Sequence, residues 1–224
     1  HKKQQVTRRF YHDVSDKEGI RSNSVYSLLV DDRGAVWVGH FQAGLDYSLY
    51  QNGLFRTYAY PPLFNSANLS IRSFISRGQE KVIGSRDGLF YINEATGMVK
   101  SFVKPVLTSD LILTISFYQG EYYIGTYGGG MMVLNPETLS LKYFSQSDTE
   151  LFQKGHIFCV KPDTKGNLWI GTSQGLFNYN GQTKQIKHFT SANSQLPEGN
   201  VYEVSFDSTG KGWIATETGM CIYD

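Results

Sequence analysis

Four carboxylates, Asp46, Asp87, Asp110 and Glu217, are the residues whose chemistry could break a bond if the fold made them converge. Two acids at a fixed separation cleave glycosidic bonds, one as acid and the other as base or nucleophile. Sequence spacing sets no such separation here. His12, His40, His156 and His188 lack the spacing of metal ligands, and each reads as a loop or strand residue. Two cysteines, Cys159 and Cys221, are too few for a disulfide scaffold or a four-cysteine zinc site. No Ser-His-Asp elbow, phosphate-binding loop or dinucleotide phrase occurs. The expectation is a chain that is not an enzyme and needs no metal or other cofactor, so recognition residues must be sought on the elements that would hold them.

The 224 residues carry 21 Lys+Arg against 20 Asp+Glu, too even a balance for a polyanion binder, and nucleic acid is not an expected partner. The basic start, Lys2, Lys3, Arg8 and Arg9, reads as a solvated terminus. No run of about 18 apolar residues exists, so no direct membrane contact by this chain is expected. Without an initiator Met or a secretory apolar segment, it is expected to be a mature chain or an excised piece. The 23 Gly, 15 Tyr and 14 Phe, with turn clusters at short intervals, predict many short strands and no helix.

The strands recur as a unit. Trp37-Val38-Gly39 precedes Gly44-Leu45, and the phrase returns as Val82-Ile83-Gly84 with Gly88-Leu89 and as Tyr123-Ile124-Gly125 with Gly130-Met131. It returns again as Trp169-Ile170-Gly171 with Gly175-Leu176 and as Trp213-Ile214-Ala215 with Gly219-Met220. The first small residue is separated from the next by 45, 41, 46 and 44 residues. Each unit parses into four strands, a to d. In the fourth these are Ile157 to Val160, Asn167 to Gly171, Leu176 to Tyr179 and Gln185 to Phe189, with an Asp163-Thr164-Lys165-Gly166 turn between a and b. Four antiparallel strands in about 45 residues mean a β-propeller blade. The units run about 24–58, 70–102, 110–144, 155–189 and 199–224. The aromatic before the first small residue reads as a wedge between blades. That small position accepts Ala215, so it requires small size, whereas the invariant second Gly fits a b–c turn with positive φ. Cys159 and Cys221 fall in strands a and c of adjacent units as free thiols.

The phrase Trp/Tyr, Ile/Val, Gly, Thr, x, x, Gly, Leu, preceded by Asp-x-x-Gly, resembles the two-component regulator propeller repeat. The best copies are residues 123–131 and 169–176, and the resemblance runs from about Ser24 to Tyr223. Val82 replaces the aromatic in unit two, and Arg77-Gly78-Gln79-Glu80 and Tyr118-Gln119-Gly120-Glu121 replace two of the Asp turns. The resemblance implies the periplasmic sensor half of membrane-bound hybrid histidine kinases of gut bacteria, which detect oligosaccharides released from polysaccharides. It implies as partners an oligosaccharide or other small ligand, the rest of the sensor protein, and a second copy in a homodimer. Such sensors carry two seven-bladed propellers, a β-sandwich, a membrane helix and a kinase. Five units do not make seven blades, so the chain is expected to be part of a larger propeller, with a closed five-bladed ring as the alternative. Val6 to Phe10 reads as a strand d of a neighbouring blade, or as the strand that completes unit five.

The long d–a connections, 11–23, 59–69, 103–109, 145–154 and 190–198, leave the same side of the blades as the b–c turns, and that side is the expected recognition face. Its turns supply His40, Phe41, Gln42, Arg86, Asp87, Tyr127, Gln174 and Glu217, a mixture of aromatic, amide and charge suited to sugar hydroxyls. Tyr60-Pro61-Pro62-Leu63-Phe64 adds an apolar loop. Two other readings stand beside ligand sensing: a scaffold that supports dimerisation, and a carbohydrate-active enzyme. For the enzyme, Asp32 to Trp37 superficially resembles the Asp-box of sialidase propellers. However, Thr164 and Ser208 stand at the equivalents of Asp32, and no matching Arg cluster or Tyr–acid pair can be assigned.

Overall fold

A computed structural model describes residues 10–16, 18–48, 54–58, 69–145 and 150–223. Turn residues every four to seven positions break these residues into short strands, which pair only with their sequence neighbours. Blade one is β1 (Val25–Val30), β2 (Val36–His40), β3 (Leu45–Ser48) and β4 (Phe55–Thr57). Blade two is β5 (Ile71–Arg77), β6 (Glu80–Ser85), β7 (Leu89–Asn93) and β8 (Met98–Phe102). Blade three is β9 (Ile112–Tyr118), β10 (Glu121–Thr126), β11 (Met131–Leu134) and β12 (Leu141–Tyr143). Blade four is β13 (Ile157–Pro162), β14 (Asn167–Thr172), β15 (Gly175–Asn180) and β16 (Ile186–Phe189). Blade five has three strands among the described residues, β17 (Val201–Phe206), β18 (Gly212–Thr216) and β19 (Met220–Tyr223). All pairings are antiparallel, so the fold is an all-β propeller built of five blades.

One helix departs from the all-strand expectation. α1 (Leu151–Lys154) is a single turn before blade four. One turn is too short to hold itself. Phe152 holds it by packing edge-on to Phe144 and Phe177, with ring centroids 5.2 Å apart in each pair.

The core is a series of slabs between blades. Trp37, Ile71, Ile83 and Phe90 fill the first seam, and Val82, Tyr91, Ile112 and Tyr122 the second. Tyr123, Ile157, Ile170 and Phe177 fill the third, and Cys159, Trp169, Val201 and Ile214 the fourth. The wedge residues Trp37, Val82, Tyr123 and Trp169 are buried here. Trp213, which no described blade covers, is 41% exposed. The small position is explained by the neighbour. A Cβ on Gly171 would lie 2.6 Å from Cys159 Sγ and 2.7 Å from the Val201 carbonyl oxygen, and one on Gly84 would run into Ile112. Ala215 occupies the copy of this position that faces no further blade among the described residues.

The second glycine of the phrase has positive φ at Gly44, Gly88, Gly130 and Gly175 (79°, 125°, 71° and 104°). Gly219 does not, which corrects the expectation for unit five. In blades one to three this residue donates its N–H to the next blade, to the carbonyls of Leu69, Asp110 and Gly155, each at 2.9 Å.

Strands β1, β5, β9, β13 and β17 neighbour one another in series and form the channel side. The arc is open among the described residues. Leu28 and Val30 stay exposed on blade one, and Met220, Ile222 and Tyr223 on blade five. The segment expected to close a ring lies outside the described residues except for Phe10, whose ring packs edge-on against Phe55 of blade one at 5.0 Å. The Tyr60–Phe64 loop also lies outside the described residues. No described helix is long and apolar enough to cross a membrane.

Candidate functional site

The b–c turns are tied to the beginnings of the a strands by one hydrogen bond repeated in every blade. Phe41, Arg86, Tyr127, Ser173 and Glu217 donate their N–H groups to the carbonyls of Ser24, Ser70, Leu111, His156 and Asn200 at 2.9 to 3.2 Å. The turns and the long connections therefore share one end of the blades. In four blades the residue after the small position is Ser or Thr. Ser85, Thr126, Thr172 and Thr216 donate to the carbonyls of Gly88, Gly130, Gly175 and Gly219 at 2.8 to 3.0 Å, holding the turn closed.

Blade one replaces that hydroxyl with His40, and this corrects one predicted contact residue. His40 lies inside β2 and is fully buried, with Nε2 2.9 Å from Asp46 Oδ2. Asp46 also accepts the Arg21 N–H at 2.7 Å. Both side chains are buried against each other, which removes His40 from the ligand face and Asp46 from any surface catalytic pair, although His40 Nδ1 and Asp46 Oδ1 have no hydrogen-bond partner among the described residues. Asp110 likewise accepts the Lys104 N–H at 2.7 Å, while Asp87 and Glu217 sit in the turns of blades two and five. The four acids do not gather into one site.

The other predicted residues lie on the expected face, spread over all five blades, so no one small ligand touches them all. Phe41 is half-buried on the Tyr26 ring (centroids 5.2 Å apart), and Gln42 takes φ of 54° with its N–H on Ser70 Oγ. Arg86 and Asp87 are exposed. Tyr127 is half exposed and lies on His156 with centroids 4.0 Å apart. Gln174 is exposed, and its carbonyl faces His188 Nε2 at 2.7 Å. Glu217 Oε2 accepts the Asn200 N–H at 3.3 Å.

Sequence reasoning missed the residues that line the channel. Every a strand carries a β-bulge against its b strand at the same place. The extra residue left unpaired is Tyr26, Arg72, Leu113, Phe158 or Tyr202 in blades one to five. A bulge re-aims a side chain and is common next to binding sites. Phe158 and Tyr202 meet edge-on at 5.1 Å, beside the Tyr127–His156 pair, and the Arg72 guanidinium carbon lies 5.1 Å from the Tyr26 centroid. The only sequence signal was a fixed offset, 12 or 13 residues before the first small residue of each unit. Two cavities lie at the opposite end, beside the a–b turns. One of about 260 Å³ runs past Asn167, Asn178 and Lys187, and one of about 600 Å³ past Arg77, Glu80 and Phe117.

Burial pushes the Cys159 thiol up to about 12, an inert state for a thiol packed between blades four and five. Among the described residues no group of three or more His, Cys, Asp and Glu could hold a metal.

Comparison with known proteins agrees with the repeat. Residues 19–42 and 152–174 match the family model described as "Two component regulator propeller". The extracellular domain of a hybrid two-component system from B. thetaiotaomicron is similar over 96% of this chain, with 26% identity and a TM-score of 0.72. A second such domain from the same organism covers 97% of the chain at 17% identity and TM-score 0.59. PorZ, a surface component of the type-IX secretion system of Porphyromonas gingivalis, shares the fold over 89% of the chain at 16% identity and TM-score 0.70. This chain spans 29%, 33% and 32% of those three chains. No curated protein matches the sequence. The chain is thus a five-blade stretch of β-propeller, two segments of which match the two-component regulator propeller model.

Proposed function

We propose that this chain is part of the periplasmic ligand-sensing region of a two-component signalling protein. It binds a glycan-derived oligosaccharide on the face that carries the b–c turns and passes a change of blade geometry to a histidine kinase outside the chain. The observation that carries the reading is the likeness, over 96% of the chain at 26% identity, to an extracellular domain of a hybrid two-component system. Tyr26, Phe41, Tyr127, Phe158 and Tyr202 add ring surface for stacking on that face, and Gln42, Gln174 and Glu217 add hydrogen-bonding groups.

The test is thermal melting of the chain alone and with a panel of defined oligosaccharides. A ligand at 100 times its dissociation constant stabilises the fold by about 2.7 kcal/mol. One sugar class is expected to raise the melting temperature, and Tyr127→Ala to remove the rise. A cooperative melt that no sugar moves would reject ligand sensing by these blades.

The apolar end faces favour a second reading, a scaffold that joins further blades or another copy. Sedimentation of the ligand-free chain separates the two. Self-association without any sugar response supports the scaffold.

A further inference from the structure

Arg72 is the extra residue of the β5 bulge and the one cation among the five channel-side bulge residues. Its guanidinium lies against Tyr26, which packs in turn on Phe41. A cation–π contact of this kind does not use up the guanidinium N–H groups, which remain for an acceptor. The described residues supply none. Arg33 and Arg77 pair with Glu94 and Glu80, at 3.8 Å and 3.9 Å, but Arg72 has no ion-pair partner among the described residues. Its Nε is buried without a hydrogen-bond partner. A buried donor on a cation is costly to leave unpaired, and the cost disappears when an anion arrives.

The surroundings of Arg72 carry a second cation. Ser70, two residues before Arg72, accepts the Arg86 N–H at 3.0 Å, so the exposed Arg86 turn stands over the same seam. Asp87 beside it is exposed and pairs with neither arginine within 4.0 Å. No carboxylate occupies any of the other four bulge positions.

We propose that Arg72 binds an oxyanion, a carboxylate or sulfate carried by a small ligand, at the channel-side seam of blades one and two. Tyr26 and Phe41 form the platform that orients the guanidinium. Both anions present paired oxygens to the guanidinium fork, which is the chemistry that selects them. The inference rests on the sensing reading only for the ligand's being extracellular, and it adds that the ligand is acidic.

The test titrates the whole chain with sodium glucuronate, sodium sulfate and neutral glucose, following the Arg72 Nε–Hε resonance by NMR and the heat of binding. Glucuronate or sulfate is expected to move that resonance saturably, and more weakly as sodium chloride rises. Glucose is expected to leave it in place. Arg72→Gln is expected to lower the affinity at least tenfold, and Arg72→Lys, which keeps the charge but loses the fork, to fall between. Unliganded melting curves are the check that both variants fold. Response to glucuronate alone assigns a carboxylate, and response to sulfate alone a sulfate ester. Equal affinity in wild type and Arg72→Gln, equal response to glucose and glucuronate, or no response to either anion overturns the inference. If the oligosaccharide panel still stabilises the chain in that event, the sensing reading stands and only the role of Arg72 falls.

Discussion

The Trp169 indole N–H donates to Asp163 Oδ2 at 2.9 Å, across a turn and six residues along the chain. The same bond joins Trp37 to Asp31 at 3.0 Å and Trp213 to Asp207 at 3.1 Å. The other carboxylate oxygen accepts backbone N–H groups of the same turn, from Lys165 and Asn167 in blade four. One acid therefore shapes the a–b turn and anchors the wedge between blades. Units two and three lack both partners of the pair, with Val82 and Tyr123 at the wedge and no Asp turn. In blade three Tyr118 takes over, donating to the Gly166 carbonyl of the next blade at 2.7 Å. Of the Asp-box-like stretch in unit one, the residue that bonds the indole is Asp31, while Asp32 is exposed.

Asp163→Ala should destabilise the chain by about 2 kcal/mol, since it removes a charged acceptor from an indole and two amides. Burial pushes the Asp163 carboxyl up, but hydrogen bonds from Asn167, Trp169 and Lys165 outweigh it and hold the group below the ordinary carboxylate range. Asp31 is held down in the same way by Trp37, Ala35 and Arg33, again against burial. A carboxyl that is more acidic folded than unfolded contributes stability above about pH 4, and that contribution is lost as pH falls through the folded value. Urea midpoints should fall below about pH 4, and Asp163→Asn should flatten that slope.

Glu80 accepts the Tyr91 hydroxyl at 2.6 Å and the Tyr122 hydroxyl at 2.7 Å, joining blades two and three. Glu80→Leu leaves two phenols unpaired and should cost about 2 to 4 kcal/mol. Adding Tyr91→Phe and Tyr122→Phe should recover most of the loss, as a denaturant series on the three constituents would show. Burial, then the Glu80 bond, pushes Tyr91 up to about 12, and Tyr122 moves the same way. Groups raised on folding stabilise fully below the unfolded value and lose that contribution above it. Stability should therefore decline from about pH 10 upward, and less steeply in the double Phe variant.

Gly171→Ala should cost about 1 to 3 kcal/mol, because the added methyl meets Cys159 and the Val201 backbone. Ala215→Val, at the equivalent position with no blade beyond it, should change stability by less than about 0.5 kcal/mol. Equal costs in thermal unfolding would refute the account of the small position as a blade-contact requirement.

Acrylamide should quench one of the three tryptophans in the folded chain. Trp213 is 41% exposed on the end face, whereas Trp37 and Trp169 are 3% and 2% exposed. Trp213→Phe should remove the quenchable component and leave the others shielded. Quenching that persists in the variant would mean that an inner seam opens.

Strands, turns and blade number were legible because each depends on residues close in sequence. Asp163 and Gly166 close their turn within four residues, and the wedge and its small neighbour are adjacent. Alternation then states which residues share a face of a strand, but not what comes to lie against that face. Only the packed blades decided that His40 turns inward onto Asp46, that Gly171 faces Val201 while Ala215 faces no blade, and that α1 forms on Phe144 and Phe177. They also decided which residues reach the channel. A one-residue bulge shifts the register of each a strand, so Tyr26, Arg72 and Tyr202 leave the alternation that would have placed them. The extra residue breaks the two-residue period on which alternation relies, so the pattern alone does not say which side chains reach the channel.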